Sequence, residues 1–182
     1  QLRKYEEYAY VLDFKSRGKS ITVRGRTGVI VIAIGEERLT LLEILGMENT
    51  TFEVGERIYI GKEGRSKVQS VLGKMAYEKI STSAQNEIPS TVQLIVTKNE
   101  KRFVDYLNNA QPLTPRVHAL ELIPGIGKTY LNVILQERDK KPFESYDDIE
   151  SKTRLKEPIK HLTKRILEEI SGETRMSIFV KR

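Results

Sequence analysis

The chain has 182 residues, a formal net charge of +6 and a sequence pI of about 9.4, and this basic balance favours an anionic partner. It contains no cysteine, which excludes disulfides, thiolate metal sites, iron–sulfur clusters and cysteine nucleophiles. Because its two histidines, His118 and His161, lie far apart in the sequence, we expect no histidine-based metal site and no cofactor. No apolar run approaches the roughly 20 residues of a membrane helix, and we expect a cytoplasmic protein without a signal peptide or membrane contact.

Residues 1–75 are predicted to form a small β domain. The segment 8–14 is rich in aromatic and β-branched residues, and the continuous apolar run 29–34 predicts a strand that is buried on both faces. Shorter strand signals lie between glycine turns, at 21–23, 40–45, 57–60 and 67–72, of which 40–45 could be a strand or a short helix. About six short strands predict a closed or nearly closed barrel, and the region resembles the oligonucleotide/oligosaccharide-binding (OB) class.

A basic stretch lies near the start of this domain. It carries five cations with no acid between the first and the last: Lys15, Arg17, Lys19, Arg24 and Arg26. Barrels of the OB class bind single strands through a basic groove with stacked aromatic side chains. The candidate aromatic residues are Tyr8, Tyr10, Phe14 and Tyr59. The alternative is that the cations form a solvated hairpin face and the aromatic residues belong to the core.

Residues 76–110 are predicted to be a helical connector. Ile88, Val92 and Ile95 share one helical stripe, and Asn99 or Glu100 marks a break before a second helix. Pro89 suits the first turn of a helix. We interpret this segment as packing rather than chemistry.

A glycine hairpin, Leu122–Lys128, is the centre of the last predicted domain, residues 111–182. Thr114 and Pro115 are predicted to cap and start a helix that runs into it. Its Gly-x-Gly core allows a turn that residues with a Cβ resist. The hairpin resembles the helix-hairpin-helix motif of nucleic-acid-binding proteins. That resemblance implies a phosphate held by four backbone amides and a nearby cation, on the residues Gly125, Ile126, Gly127 and Lys128. The alternative is an αα-hairpin in which the glycines only permit the turn.

The segment that follows repeats this plan. Ser145 and Asp148 resemble a capping box, a short helix follows, and residues 153–157 occupy the position of a second hairpin before Pro158 starts the last helix. The second hairpin lacks Gly-x-Gly, so we expect it to be mainly structural. Three lysines recur every fourth residue and share one helix face, where they either contact a nucleic-acid backbone or are simply solvated: Lys156, Lys160 and Lys164. Residues 177–180 are predicted to be a short strand or a frayed end.

Over nearly its whole length, the chain resembles an archaeal family of unknown function that has been described only as predicted RNA-binding or nucleotide-binding. The residues that carry this resemblance are the hairpin and the segment Pro142–Ile149 before a basic final helix. It implies an α+β organisation in which a small OB-like barrel is followed by a helical connector and an all-α domain with two helix-hairpin-helix units. It also favours RNA over DNA, which the residues themselves do not.

The leading functional prediction is a non-catalytic nucleic-acid-binding protein that binds RNA in preference to DNA and has no enzymatic activity. A second hypothesis is a protein-interaction module whose basic surface meets acidic ribosomal or transcription proteins. A third comes from a resemblance to glycosylases related to endonuclease III, in which a catalytic Asp follows the hairpin at the distance of Asp147. Here, however, Thr129 stands where that family has its catalytic Lys, and Asp147 has the position of a first-turn helix residue.

Overall fold

The protein has a mixed α+β fold, and the computed structural model describes residues 6–181. Five antiparallel strands form a curled, half-barrel sheet in the order β4-β1-β2-β3-β5. The strands are β1 Tyr8–Lys19, β2 Thr27–Gly35, β3 Leu41–Gly46, β4 Arg57–Tyr59 and β5 Val68–Lys74. The helices are α1 Thr82–Lys98, α2 Glu100–Asn109, α3 Lys128–Lys140, α4 Tyr146–Thr153 and α5 Pro158–Ile170, with short 3₁₀ turns at Tyr77–Lys79 and Ala119–Leu122.

The chain divides into two compact units. The sheet unit comprises Gln1–Thr91 and Glu169–Arg182, and the helical unit comprises Val92–Glu168. The division falls inside α1 and α5, whereas the boundaries predicted from the sequence lie after residues 75 and 110.

Strand β2 lies at the centre of the sheet and is buried on both faces, as its continuous apolar sequence predicted. On one face Val29, Val31 and Ala33 belong to the main apolar cluster, together with residues of β1, β3 and β4. On the other face Ile30 and Ile32 are also buried. Successive residues of a strand point to opposite sides, so an uninterrupted apolar run is what a central strand with two covered faces requires.

The prediction of about six strands is wrong, because residues 21–23 lie in the loop between β1 and β2. Residues 41–46 form a strand rather than a helix. Within residues 6–181 the sheet ends at β4 and β5, and side chains connect these two edges. The guanidinium of Arg65 donates to the carbonyl oxygens of Ile60, Gly61 and Gln69 at 2.7–3.3 Å. The Lys67 ammonium also lies 2.6 Å from a Glu56 carboxylate oxygen.

Three buried carboxylates in the sheet unit hold loops by accepting backbone N–H groups. Glu6 accepts from the amides of Glu37 and Arg38 at 2.8 and 2.6 Å. Glu169 accepts from the amides of residues 178, 179 and 180 at 2.9–3.0 Å. The strand predicted at 177–180 is therefore not formed, since its amides bind a side chain instead of a neighbouring strand.

Glu43 of β3 is the third buried carboxylate and has no exposure to solvent. It accepts the hydroxyl groups of Ser20 and Thr22, each at 2.5 Å, and the amides of Ile21 and Thr22 at 2.8 and 3.1 Å. Burial alone would raise the pKa of Glu43, but the hydrogen bonds from Ile21, Ser20 and Thr22 outweigh it and lower the pKa. The charged carboxylate thus fixes the start of the β1–β2 loop against the sheet.

In the helical unit, Asn99 separates α1 from α2 as predicted. Pro89 is not in a first helical turn but inside α1. The helix begins earlier because the Ser81 hydroxyl accepts the amide of Ala84 and so provides an N-cap. The cost of Pro89 is limited to one missing hydrogen bond within the helix and the local crowding of its ring.

The helix predicted from Thr114 into the hairpin is also absent. The Thr114 hydroxyl accepts the amides of Arg116 and Val117, as an N-cap does. However, the Val117 carbonyl accepts the amides of Leu113 and Thr114, so the chain turns back instead of continuing as a helix. Only a 3₁₀ turn, Ala119–Leu122, precedes the hairpin, and His118 caps it by accepting the amide of Leu120 through Nδ1 at 3.1 Å. Among residues 6–181, no helix combines the length and the apolarity needed to cross a bilayer.

We expect Glu43→Gln to lower the free energy of unfolding at neutral pH by about 2–3 kcal/mol, because a neutral amide replaces a carboxylate that accepts four hydrogen bonds. The pKa of Glu43 is lower in the folded chain than its ordinary value of 4.5, so its contribution is complete above that value. The contribution is lost as the pH falls through the folded pKa. Urea denaturation at pH 7 and pH 3 should show a difference between wild type and variant that shrinks on acidification.

The matched control is Glu48→Gln, since Glu48 is exposed in the turn that follows β3. We expect it to change stability by less than about 0.5 kcal/mol. A Glu43→Gln variant as stable as this control at pH 7 would contradict the anchoring role of Glu43.

Candidate functional site

A groove on the sheet unit, which we call the basic groove, contains most of the predicted basic stretch. Its volume is about 750 Å³. Lys15, Arg17 and Lys19 of β1 line it, while Arg24 and Arg26 are exposed in the adjoining loop. Its apolar lining consists of Phe14, Ile21, Ile30, Ile32 and Ile80.

The five cations of the basic stretch are exposed, and within residues 6–181 none of them forms an ion pair. The two carboxylates that line the groove are engaged by the fold. Asp13 accepts the Ser81 hydroxyl at 2.7 Å, and Glu43 holds the β1–β2 loop. The groove therefore combines unpaired positive charge with an apolar floor.

The conformation of β1 contributes to this arrangement. Its pairing with β2 shifts register twice, first between Val11 and Asp13 and again between Lys15, opposite Ile30, and Gly18, opposite Gly28. Such an irregularity re-aims the side chains of the bulged strand. A Cβ on Gly18 would lie 3.1 Å from the Ile30 side chain, so this glycine permits the close approach of the two strands.

Of the four predicted stacking residues, only Phe14 lines the basic groove. Tyr10 is 2% exposed and belongs to the core, and its burial raises the pKa of its phenol. Tyr8 and Tyr59 contact each other edge to face, with ring centres 5.3 Å apart, and the Arg57 guanidinium lies 3.7 Å from the Tyr8 ring. Neither of these two tyrosines lines the groove.

The glycine hairpin of the helical unit is a second candidate site. Gly125 has φ +91°, and a Cβ at this position would lie 2.3 Å from the imidazole of His161. The His161 Nδ1 is 2.8 Å from the Pro124 carbonyl oxygen, and Arg165 donates to the Leu122 carbonyl at 3.3 Å. Helix α5 thus supports the back of the hairpin through two side chains that sequence analysis did not identify.

The amides at the front of the hairpin differ from the predicted set. The amide of Ile126 donates to the Ile123 carbonyl at 3.0 Å, so it is not available to a ligand. Gly127 is the N-cap of α3, has open space where a Cβ would lie, and provides no capping side chain. The first-turn amides of Lys128, Thr129 and Tyr130 consequently have no acceptor in their own helix.

The ammonium of Lys128 has two oxygen acceptors in the segment before the hairpin. It lies 2.7 Å from a Glu121 carboxylate oxygen and 3.1 Å from the Arg116 carbonyl oxygen. Its hydrogen bond lowers the pKa of Glu121. The Lys128 side chain is 67% exposed, and ion pairs of this kind contribute little stability, so a phosphate can compete for the lysine.

The second hairpin occupies residues 154–157, between α4 and α5. Arg154 and Glu157 adopt positive φ values of 65° and 51°, which shows that this turn forms without glycine. Lys160 pairs with Glu157 at 3.0 Å, whereas the exposed Lys156 and Lys164 form no ion pair within residues 6–181. The three lysines remain a predicted contact surface, in which Lys160 has an acidic partner and the other two have none among the described residues.

The environment of Asp147 fits a helix terminus. It is exposed in the first turn of α4, where Ser145 accepts the Asp148 amide as the N-cap. The Asp148 carboxylate accepts the amide of Glu144 rather than that of Ser145, so the predicted capping box is only half formed. Within the described part of the chain, no group of acidic and histidine side chains is arranged to hold a metal ion.

Comparisons with other proteins identify related sequences and a similar fold, but they assign no activity. A family model described as "Protein of unknown function (DUF655)" matches residues 5–181. The uncharacterized protein MJ0038 of Methanocaldococcus jannaschii is 37% identical over 181 residues, which cover 98% of this chain and 82% of that protein. The crystal structure of Af1531 from Archaeoglobus fulgidus is 36% identical, with a TM-score of 0.83 over 97% of this chain and 100% of that one. These archaeal relatives agree with the sequence resemblance to an archaeal family of unknown function.

We expect Gly125→Ala to lower the free energy of unfolding by about 2–4 kcal/mol, since it adds both a strained positive φ and a collision with His161. Gly127→Ala is the control, because its backbone is extended and its Cβ position is open; we expect a loss of about 0.5–1 kcal/mol from the poorer N-cap. Thermal and urea denaturation measure the change in the free energy of unfolding for both variants. Equal destabilisation by the two substitutions would contradict the different roles assigned to the two glycines.

Proposed function

The chain belongs to the DUF655 family of proteins of unknown function, and from this starting point we propose that it is a non-catalytic protein that binds single-stranded RNA. The observation that carries the proposal is the basic groove, with its unpaired cations beside an apolar floor. Several lysines elsewhere in the described chain pair with nearby acids, as Lys67 does with Glu56 and Lys101 with Asp105. Five adjacent cations left without such partners are what an anionic ligand requires.

The chemistry of the groove suits an unpaired strand. Phosphates would contact Lys15, Arg17 and Lys19, while bases would lie against Phe14 and the exposed Ile21 side chain. In a duplex the base faces are stacked on one another, so this apolar surface would be used only by unstacked bases. The choice of RNA over DNA rests on the family resemblance, because the groove presents no group that identifies a 2′-hydroxyl.

We further propose that the half-barrel is an open member of the OB class. A curled sheet of five strands supports this assignment, since that class is a five-stranded, partly open barrel. The helical unit would then contain two elements of the helix-hairpin-helix type, the first of which has the 3₁₀ turn Ala119–Leu122 in place of its leading helix. Supporting features are the glycine turn leading into α3 and the tight turn between α4 and α5.

The glycine hairpin would bind one backbone phosphate independently of sequence. The open N-terminus of α3 offers its first-turn amides and the positive end of the helix dipole, and Lys128 lies beside it. Such contacts position a strand without reading its bases. Two weak sites on one chain raise the total affinity when one strand can reach both.

The first test is binding of single-stranded RNA across a salt series, with duplex RNA and duplex DNA for comparison. We expect log K to fall by roughly 0.7 per neutralised phosphate on the single strand. Arg17→Glu should weaken binding about tenfold at low salt and reduce this slope. The matched control is Arg175→Glu, the same charge change at an exposed arginine of the sheet unit that lines no described pocket, which should change affinity far less.

Equal weakening by the two substitutions would show that only net charge matters and would contradict a site in the groove. Absent or salt-insensitive binding to all three nucleic acids would overturn the proposal. That result would favour the second hypothesis, a protein-interaction module for acidic ribosomal or transcription proteins.

A separate experiment tests the hairpin. In Gly127→Asp, an N-cap carboxylate would accept the amides that a phosphate would otherwise bind, and it would also repel the phosphate. We expect this variant to be at least as stable as wild type but to bind RNA about three- to tenfold more weakly. Gly127→Ala, which adds neither acceptor nor charge, should retain wild-type affinity. RNA binding by Gly127→Asp that equals that of Gly127→Ala would remove the hairpin from the interface.

A further inference from the structure

A second cavity of the sheet unit, which we call the seam pocket, lies at the open side of the half-barrel. Its volume is about 640 Å³, within the range of small-molecule sites. Leu42 of β3, Val71 of β5 and Ile60 after β4 form an apolar floor. Ile60 and Leu42 also belong to the main apolar cluster, so the floor is the edge of the sheet core.

The seam pocket is separate from the basic groove, because no residue between positions 6 and 181 lines both. The alternation of β3 explains the separation. Leu42 lines the seam pocket and its neighbour Glu43 lines the groove, and successive residues of a strand point to opposite faces. The two sites therefore lie on opposite faces of one sheet.

The charge of the seam pocket is strongly one-sided. Four cationic side chains line it: Arg38, Lys62, Arg65 and Lys74. Among the described residues the acid that lines it is Glu6, which is 6% exposed and accepts two backbone amides. The Arg65 guanidinium donates only to neutral carbonyl groups, so its positive charge is not cancelled by a carboxylate.

The open side is not arranged to accept an additional strand. Arg65 and the ion pair of Lys67 with Glu56 already connect the edges of β4 and β5. An inserted peptide strand would have to displace these bonds, whereas a small molecule on the apolar floor would leave them in place. Concave shape and charge together favour a compact ligand that carries more than one negative charge.

We propose that the seam pocket binds a phosphate monoester with an apolar or planar body of about the size of a mononucleotide. A phosphate monoester carries nearly two negative charges at neutral pH, which suits a cationic rim better than the single charge of a carboxylate. The phosphate would contact Lys62 and Lys74, and the body would cover Leu42, Ile60 and Val71. The same chemistry is available from a free metabolite or from the 5′-phosphorylated end of an RNA strand.

The test uses the full chain and follows backbone amide resonances of the residues around the pocket by NMR. The probes are adenosine 5′-monophosphate, adenosine, inorganic phosphate, and one RNA pentamer with and without a 5′-phosphate. We expect saturable shifts at Gly61 and at residues 70–74 with adenosine 5′-monophosphate and much weaker shifts with adenosine or inorganic phosphate. A response to the phosphorylated pentamer alone would assign the phosphate to a strand end.

Lys62→Glu with Lys74→Glu should weaken adenosine 5′-monophosphate binding by about tenfold or more. Lys79→Glu is the control, since Lys79 is exposed in the same unit but lines no described pocket. Arg17→Glu should leave this binding unchanged, and the Lys62/Lys74 variant should still bind the unphosphorylated pentamer, so failure of the groove and failure of the pocket are distinguishable. No saturable shift around the pocket with any phosphorylated probe, or an equal loss in Lys79→Glu, would overturn the proposal.

Discussion

The buried carboxylate of Glu43 determines where the basic loop lies, and the basic groove depends on that placement. A carboxylate without solvent exposure is costly unless its acceptor positions are satisfied. Here hydroxyl and amide groups at positions 20–22 satisfy it. If the loop left the sheet, the Glu43 carboxylate would lose these hydrogen-bond donors. The cations on either side of this anchor are thereby held near the groove, although none of them is itself paired. The buried carboxylate of Glu43 thus fixes the position of the exposed cations.

The basic groove and the seam pocket lie on opposite faces of one sheet because β3 alternates. Its residues on one face join the main apolar cluster and reach the seam pocket through Leu42, while on the other face Glu43 anchors the loop. Closure of the barrel would remove the seam pocket, since β4 and β5 would then pair through their backbones. The side-chain bonds of Arg65 and Lys67 stabilise the edges while leaving the space between them open.

Local features of the fold were predictable from the sequence, and tertiary ones were not. The apolar run of β2, the break at Asn99 and the cap at Ser145 are signals carried by a few adjacent residues, and the structure confirms them. The helix from Thr114 is absent although its hydroxyl accepts amides as an N-cap does, because the Val117 carbonyl bonds back to the amides of Leu113 and Thr114. The groove was predicted only in part: five clustered cations are visible in the sequence, but its isoleucine floor comes from β2 and the segment before α1. The loop anchor, Glu43, is far from that loop in the sequence, and no local pattern pairs them.

The two glycines of the hairpin have different structural roles. Gly125 is required by the fold, because its φ is positive and the His161 ring occupies the space of a Cβ. Gly127 is under neither constraint, since its backbone is extended and its surroundings are open. An N-cap of Ser, Asp or Asn would stabilise α3 slightly better than glycine does. A glycine at this position gives up that stabilisation and leaves the first-turn amides free, which is the arrangement that a bound phosphate needs.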